Sequence, residues 1–234
     1  MIEEINFETY LYISNDRLII SLFNKKDFKN LYKSEFLFKN PFYDINLEPL
    51  SEFLNKNIFK IEKLIGKFIK NISVVIEDKN NLNVELCIKK KNYGNLINQK
   101  SLEHPLKEAK DQFKKNYPNN ILMHMLIADY LIDNKSYSSL IKNLKCDNFC
   151  LEINFISISN KFIYKLEGIL KKYQIKIDKT ICGHYVKSFC ISNKIGLCEM
   201  SQKLVHGYNE NEVMLVPKNN DIKGFFERFF QLFS

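Results

Sequence analysis

The chain has 234 residues, of which 45% are hydrophobic, and its formal net charge is +8. This length and apolar content suffice for one large domain or two small ones, and they exclude a disordered chain. The lysines are spread along the sequence and form no dense basic stripe with interleaved aromatics, which argues against binding to DNA or RNA. The charge favours instead an anionic membrane surface or an acidic protein partner.

We expect neither a signal peptide nor a membrane-spanning helix from this sequence. The opening residues, Met1-Ile-Glu-Glu, lack the basic start and apolar run of a signal peptide. No stretch reaches the ~18 apolar residues of a transmembrane helix. The six cysteines are therefore expected to be reduced, as in a cytosol.

The first part of the chain predicts several strands and one long helix. The helix extends from Leu47 to Ile69, where apolar residues recur at helical spacing. Ser14-Asn15-Asp16 predicts a hairpin-like turn between the first two strands. The predicted strands are Tyr10 to Ile13, Arg17 to Phe23, Glu35 to Phe38 and Ile72 to Ile76.

The sequence from Leu82 to Val216 also predicts both helices and strands. Leu106 to Asn116 is expected to be a helix with Pro105 near its start, and Lys161 to Tyr173 a second one. After Gly183, apolar spacing predicts a long or broken helix that ends at Gly207. The predicted strands are Leu82 to Ile88, Ile121 to Ile132, Leu151 to Ile158, Ile175 to Ile181 and Glu212 to Val216.

Residues 221–234 have the pattern of a membrane-binding amphipathic helix. They follow a polar spacer at 217–220, and their large apolar residues fall on one helical face. Such a helix lies in the membrane interface with its apolar side down; the alternative is a helix that packs on its own domain. The residues expected to bind the membrane are Ile222, Lys223, Phe225, Phe226, Arg228, Phe229, Phe230, Leu232 and Phe233.

Motifs of catalysis or cofactor binding are absent from the sequence. It contains no P-loop, no Rossmann glycine pattern, no HExxH and no GxSxG. His124, in a predicted strand, is interpreted as structural. A zinc site built from Cys146, Cys150, Cys182 and His184 is disfavoured because no paired CxxC exists. We therefore expect no catalytic residue, no cofactor and no metal.

Residues 123–133, MHMLIADYLID, together with Ile141-Lys-Asn143 and the strand that begins at Leu151-Glu152, resemble the FtsA family. The resemblance is clearest over residues 100–180, within the SHS2 insert that distinguishes FtsA from other actin-like proteins. FtsA also ends in a linker and an amphipathic membrane-targeting helix. The resemblance implies an α+β fold, in which a partial actin-like, ribonuclease H-like subdomain carries an SHS2-like insert.

The chain departs from the family where actin-like proteins bind nucleotide. Actin-like phosphate turns need a glycine, because only then do backbone N–H groups approach phosphate closely. The turn from Ile13 to Arg17 has none, Asn134 replaces a family glycine and Leu144 a family proline. The residues after 180 also lack the second turn. We therefore expect a shortened FtsA-like protein that binds no nucleotide.

The expected boundaries are 1–79 for the first actin-like part, 80–176 for the insert, 177–216 for the remainder, 217–220 for the linker and 221–234 for the helix.

The resemblance implies a non-enzymatic adaptor of bacterial cell division. It would bind the cytoplasmic face of the inner membrane through its last helix and contact division proteins, or itself, through the insert. Direct contact with FtsZ is doubtful because that surface lies in the part of the family fold that this chain lacks. Two alternatives stay open: a PilM-like part of a pilus or secretion platform, and a divergent actin-like ATPase.

Overall fold

A computed structural model describes residues 6–141 and 144–215. It shows a mixed α+β fold with two sheets, which confirms the predicted fold class. In chain order the strands are β1 (Phe7–Ile13), β2 (Arg17–Asn24), β3 (Asn30–Leu37), β4 (Asn71–Ile76), β5 (Leu82–Lys91), β6 (Asn120–Ile132), β7 (Lys135–Tyr137), β8 (Asn148–Ser159) and β9 (Lys176–Cys182). The helices are α1 (Leu50–Ile65), α2 (Gln99–Asn116), α3 (Asn160–Lys171), α4 (Gly183–Asn193) and α5 (Leu197–Val205).

The chain divides into two compact units. Among the described residues, unit 1 contains residues 6–80 and 161–203, and unit 2 contains residues 81–141, 144–160 and 204–215. Unit 2 is thus largely an insertion within the sequence of unit 1. The predicted boundaries of the insert, 80 and 176, stay predictions; the structural division groups residues 161–176 with unit 1.

Unit 1 is built on a five-stranded sheet with the order β3-β2-β1-β4-β9. β1, β2 and β3 form an antiparallel meander, whereas β1, β4 and β9 run parallel to one another. Because parallel strands end at the same edge of a sheet, the residues that follow β1, β4 and β9 lie near one another.

The helix α1 is shorter than predicted at both ends. It begins after Pro49 and ends at Gly66, whose φ of 69° is left-handed and whose N–H donates to the Glu62 carbonyl. Glycine adopts this conformation without steric cost and so terminates the helix, although apolar residues continue to Ile69. Its buried face includes Leu50, Leu54 and Ile61.

Unit 2 is a four-stranded antiparallel sheet with the order β5-β8-β6-β7, and its core includes apolar residues of α2. Phe113 of α2 stacks on Phe155 of β8 with ring centroids 5.0 Å apart. The sequence placed the start of α2 near Pro105, but the helix begins at Gln99. The reason is a capping box in which the Asn98 side chain accepts from Ser101 N–H and the Ser101 hydroxyl accepts from Asn98 N–H.

Three further elements differ from the sequence predictions or complete them. Glu212 to Val216 does not form the predicted strand over its described part: Glu212 makes only an isolated bridge to Leu126, and Val216 lies outside the described residues. The short β7 was not predicted; it follows a two-residue turn in which Asp133 and Asn134 both have positive φ. The helix predicted after Gly183 is broken into α4 and α5.

Candidate functional site

The membrane-binding residues predicted from the sequence, Ile222 to Phe233, lie outside the described residues. The helix predicted over 221–234 therefore stays a prediction. None of the helices in the described ranges, 6–141 and 144–215, is long and apolar enough to cross a membrane.

Unit 1 contains a cavity of about 170 Å³ that the sequence did not predict. It lies where β1 and β4 end and α4 begins, which is the edge of a parallel sheet at which ligands commonly bind. Its lining combines carboxylates with an amide, a lysine and a histidine. The lining residues are Asn15, Tyr43, Asp44, Ile45, Glu77, Asp78, Lys79 and His184.

Glu77, the residue after β4, is the most engaged carboxylate of this cavity. Its Oε1 lies 2.6 Å from the Lys187 ammonium and 3.9 Å from Nδ1 of His184. Its Oε2 accepts a hydrogen bond from the buried Tyr12 hydroxyl. Its backbone N–H donates to the Ile13 carbonyl at 2.9 Å. A ligand that needed this carboxylate would have to compete with an ion pair and a hydrogen bond.

Gly183, the first residue of α4, packs directly against Glu77. A Cβ added to Gly183 would lie 2.6 Å from Glu77 Cβ and 2.9 Å from Glu77 Cα. Real side chains do not approach so closely, and two of the three nearest atoms, Glu77 Cα and Glu77 N, belong to the backbone. Glycine at this position therefore allows α4 to begin beside the end of β4.

The side chains of the turn between β1 and β2 bind mainly to one another and to the neighbouring strand β3. The Ser14 hydroxyl donates to Asp16 Oδ1 at 2.5 Å and accepts from the Arg17 backbone N–H at 3.1 Å. Arg17 forms ion pairs with Asp16 at 2.8 Å and with Glu35 at 3.2 Å. The hydrogen bond from Arg17 lowers the pKa of the Asp16 carboxyl. The Ser14 hydroxyl and the Asp16 carboxylate are thus engaged within the turn, whereas the Asn15 side chain donates to the Phe42 carbonyl at 3.0 Å.

Lys79 contacts the loop that precedes α1. Its ammonium lies 2.9 Å from the ring centroid of Tyr43 and 3.2 Å from a carboxylate oxygen of Asp44. Two carboxylates of the cavity are therefore paired: Asp44 with Lys79 of the lining, and Glu77 with Lys187 of α4.

Unit 2 holds a buried polar pair that joins distant parts of the sequence. His124 Nδ1 lies 2.7 Å from Glu212 Oε2, and the two side chains are 0% and 1% exposed. Glu212 Oε1 also accepts the backbone N–H of Met214 at 2.9 Å. The segment around Glu212 is held to β6 by Val213 N–H, which donates to the Met125 carbonyl at 2.9 Å. The sequence singled out His124, but no local signal indicated its partner.

The expectation that all cysteines are reduced is wrong for two of them. Cys87 of β5 and Cys150 of β8 form a disulfide with a Cα–Cα distance of 6.5 Å. The register pairs Lys89 with Cys150, so Cys87 lies diagonally opposite Cys150 on the same face of the sheet.

In residues 6–141 and 144–215, no group of three or more His, Cys, Asp or Glu side chains is placed to hold a metal ion.

The cavity residues could have been suspected from their positions in the sequence. Glu77 and Asp78 directly follow a buried strand, and Asn15 follows another. The sequence did not reveal that these strands are parallel neighbours, and the contributions of Tyr43 and Asp44 come from a loop without a recognisable pattern.

No known family model matches the chain, and no curated protein matches it. Solved structures that are similar to it include the following three. A PilM–PilN type IV pilus biogenesis complex has 9% identity and a TM-score of 0.45, covering 80% of this chain and 50% of that chain. The cytoplasmic domain of EpsL, an inner membrane component of the type II secretion system of Vibrio cholerae, has 8% identity and a TM-score of 0.38, covering 77% and 59%.

The third structure is a protein from Bacteroides thetaiotaomicron with an actin-like ATPase fold and unknown function. It has 15% identity and a TM-score of 0.34, covering 84% of this chain and 61% of that chain. The chain thus spans between half and about three-fifths of the length of the solved chains it matches. Because every TM-score is below 0.5, these likenesses do not indicate a function, which has to be inferred from the residues of this chain.

Proposed function

We propose that this chain is a non-enzymatic adaptor that binds the cytoplasmic face of the inner membrane and serves bacterial cell division in the manner of FtsA. The observation that carries the proposal is the sequence of residues 221–234, with five phenylalanines on one helical face. Protein contacts are assigned to unit 2, the part of the chain that resembles the SHS2 insert.

The expected binding energy suits a reversible membrane anchor. Each phenylalanine that enters the interface contributes about 1–2 kcal/mol after partial burial is considered. Lys223 and Arg228 add about 1 kcal/mol each near anionic lipid, and Glu227 offsets part of this gain. Such a helix binds weakly by itself, so membrane attachment strengthens when several copies act together.

The site in unit 1 supports the non-enzymatic part of the proposal. A phosphate turn requires backbone N–H groups that face a ligand, whereas the turn at Ser14 uses its hydroxyl and carboxylate groups internally. Glu77, the carboxylate at the end of β4, already has Lys187 and Tyr12 as partners. Both features favour a structural role for these side chains, which hold this edge of the sheet together.

Removal of residues 221–234 is expected to abolish flotation with liposomes that contain anionic lipid, because the apolar face that enters the interface is lost. The intact chain should float with the vesicles. A matched control keeps the composition of residues 221–234 but reorders them so that the phenylalanines are spread around the helix; it should float poorly. Equal flotation of the intact and truncated chains would show that the helix packs on its own domain.

Addition of MgATP is expected to leave the thermal unfolding midpoint unchanged. A nucleotide present at about 100 times its Kd stabilises a protein by about 2.7 kcal/mol. For a chain of this size, that corresponds to a rise of roughly 5–11 °C. MgCl2 alone is the control. A rise that depends on ATP would support the divergent ATPase instead.

Localisation separates division from the pilus alternative. A fluorescent protein fused at Met1 leaves residues 221–234 unmodified. A band at midcell that becomes diffuse when these residues are removed supports the division adaptor. Signal at the poles or in scattered envelope foci supports the PilM-like component of a pilus or secretion platform, and a diffuse signal from the intact chain contradicts both.

A further inference from the structure

The strand β3 forms an edge of the sheet in unit 1. Among the described residues, it pairs only with β2. Edge strands present a row of unpaired backbone groups, and proteins usually protect them with charges, proline or a bulge. β3 carries the charges of Lys33 and Glu35, and its pairing with β2 has a register shift before Tyr32. The regular part, from Tyr32 to Leu37, contains no proline, and its Phe36 and Leu37 are 45% and 59% exposed.

The direction of the backbone groups follows from the pairing with β2. Phe38 N–H, just after β3, donates to the Asp16 carbonyl at 2.9 Å. Hydrogen-bonded and non-hydrogen-bonded pairs alternate in an antiparallel ladder. Ser34 and Phe36 therefore point their backbone groups towards β2, whereas Lys33 and Glu35 point theirs to the open edge.

The sequence of this edge is complementary to itself. When two copies of β3 run antiparallel with a two-fold axis at Ser34, Lys33 of each copy lies opposite Glu35 of the other. Tyr32 lies opposite Phe36 in the same register. Opposite charges and aromatic pairs are the cross-strand combinations that stabilise antiparallel sheets. The outward backbone groups of Lys33 and Glu35 form the hydrogen-bonded pairs of this register.

We propose that two copies of this chain associate through β3, joining their five-stranded sheets into one continuous sheet whose central pair of strands is antiparallel across a two-fold axis. The occupant of the edge is a second copy because the charge pattern matches itself in this register. The pattern of β5, which forms an edge of the sheet in unit 2, is different: it ends in Lys89, Lys90 and Lys91, a run of like charges that discourages pairing.

The association is a property of the isolated chain and does not depend on the proposed function. It would nevertheless place two copies of residues 221–234 on one particle. Two weak membrane contacts on one particle bind more tightly than one, because the second contact forms within an already attached molecule.

Sedimentation velocity of the full chain tests the proposal. A small interface binds weakly, so the measurement should extend to about 200 μM. The chain is expected to shift from its 27.8 kDa monomer to twice that mass as concentration rises. A monomer throughout this range, as would occur if another segment of the chain covered β3, overturns the proposal.

Charge exchange provides the matched variants. Lys33→Glu places two pairs of like charges across the two-fold axis and should weaken dimerisation about tenfold or more; Glu35→Lys should do the same. The double variant Lys33→Glu/Glu35→Lys restores opposite charges in the same register and should recover the dimer. Unchanged dimerisation of both single variants would place the contact elsewhere and overturn the proposal.

A crosslink tests the register directly and does not require tight binding. Ser34→Cys brings two cysteines together at the two-fold axis, where paired Cα atoms are about 4.5 Å apart, a distance that a disulfide can span. Oxidation should give a covalent dimer. Asn30→Cys is the control, because the same register separates its two copies by roughly 27 Å. Equal crosslinking of both variants contradicts the proposed register.

Discussion

Gly183→Ala is expected to lower the thermal unfolding midpoint by about 4–12 °C, because it destabilises the chain by roughly 2–3 kcal/mol. The new Cβ would lie 2.6 Å from Glu77 Cβ and 2.9 Å from Glu77 Cα. The second of these atoms belongs to the backbone of the residue that extends β4, so relief requires a shift of α4 away from the sheet. The change therefore affects the stability of unit 1 and the position of the Glu77 carboxylate together.

Gly168→Ala is the matched control for this experiment. Gly168 is exposed within α3, and an added Cβ would have nothing within 4 Å. Alanine is favoured over glycine inside a helix by up to about 1 kcal/mol, so this variant should raise the midpoint by about 2–4 °C. Differential scanning calorimetry measures the unfolding midpoint of both variants. Each replaces glycine by alanine, but we expect the midpoint to fall for Gly183→Ala and to rise for Gly168→Ala. Equal effects would show that the close packing at Gly183 does not decide the outcome.

Glu212→Ala is expected to destabilise unit 2 by about 3–5 kcal/mol. The substitution leaves His124 buried without its carboxylate partner, and breaking a buried pair by removing one member is costly. It also removes the acceptor for the Met214 N–H, so the segment that bridges to Leu126 should detach from β6. Hydrogen exchange should show lost protection at Val213 and Met125.

Two controls show whether the burial of Glu212 causes this effect. Glu210→Ala removes an exposed carboxylate two residues earlier and should change stability by less than about 0.5 kcal/mol. Glu212→Gln keeps an oxygen that can accept the Met214 N–H and should cost less than Glu212→Ala. If the alanine variants at 210 and 212 behaved alike, the buried pair would contribute little to stability.

Much of the fold could be predicted because its signals are local. The periodic apolar residues of α1 and α3 and the β-branched residues of β4 lie within single elements, and each was located to within a few residues. The apolar spacing after Gly183 left open whether the helix is long or broken, and the structure shows the broken form, α4 and α5. The predicted start of α2 was wrong. Proline often marks the first turn of a helix, so Pro105 suggested a start there, whereas the true start is a capping box of two ordinary polar residues, Asn98 and Ser101.

The candidate site depended on information that no local pattern contains. Glu77 and Lys187 are 110 residues apart in sequence, and they meet only because β4 and β9 are parallel neighbours. His124 and Glu212, 88 residues apart, meet because the segment after α5 lies along β6. The segment predicted as a strand at Glu212 does lie against β6, but it forms only a single isolated bridge, to Leu126.

The insertion of unit 2 between β4 and β9 has a consequence for the order in which the protein folds during synthesis. The parallel partner of β4 emerges from the ribosome only after roughly a hundred further residues, which takes on the order of 5–20 s. During this interval β4, whose last five residues are buried in the finished sheet, is an open apolar edge. Meanwhile all four strands of unit 2 have already been made, so its sheet can form while that of unit 1 still awaits its last strand. The nascent chain is therefore most prone to aggregation through β4, and a chaperone that acts at this stage would find its target there.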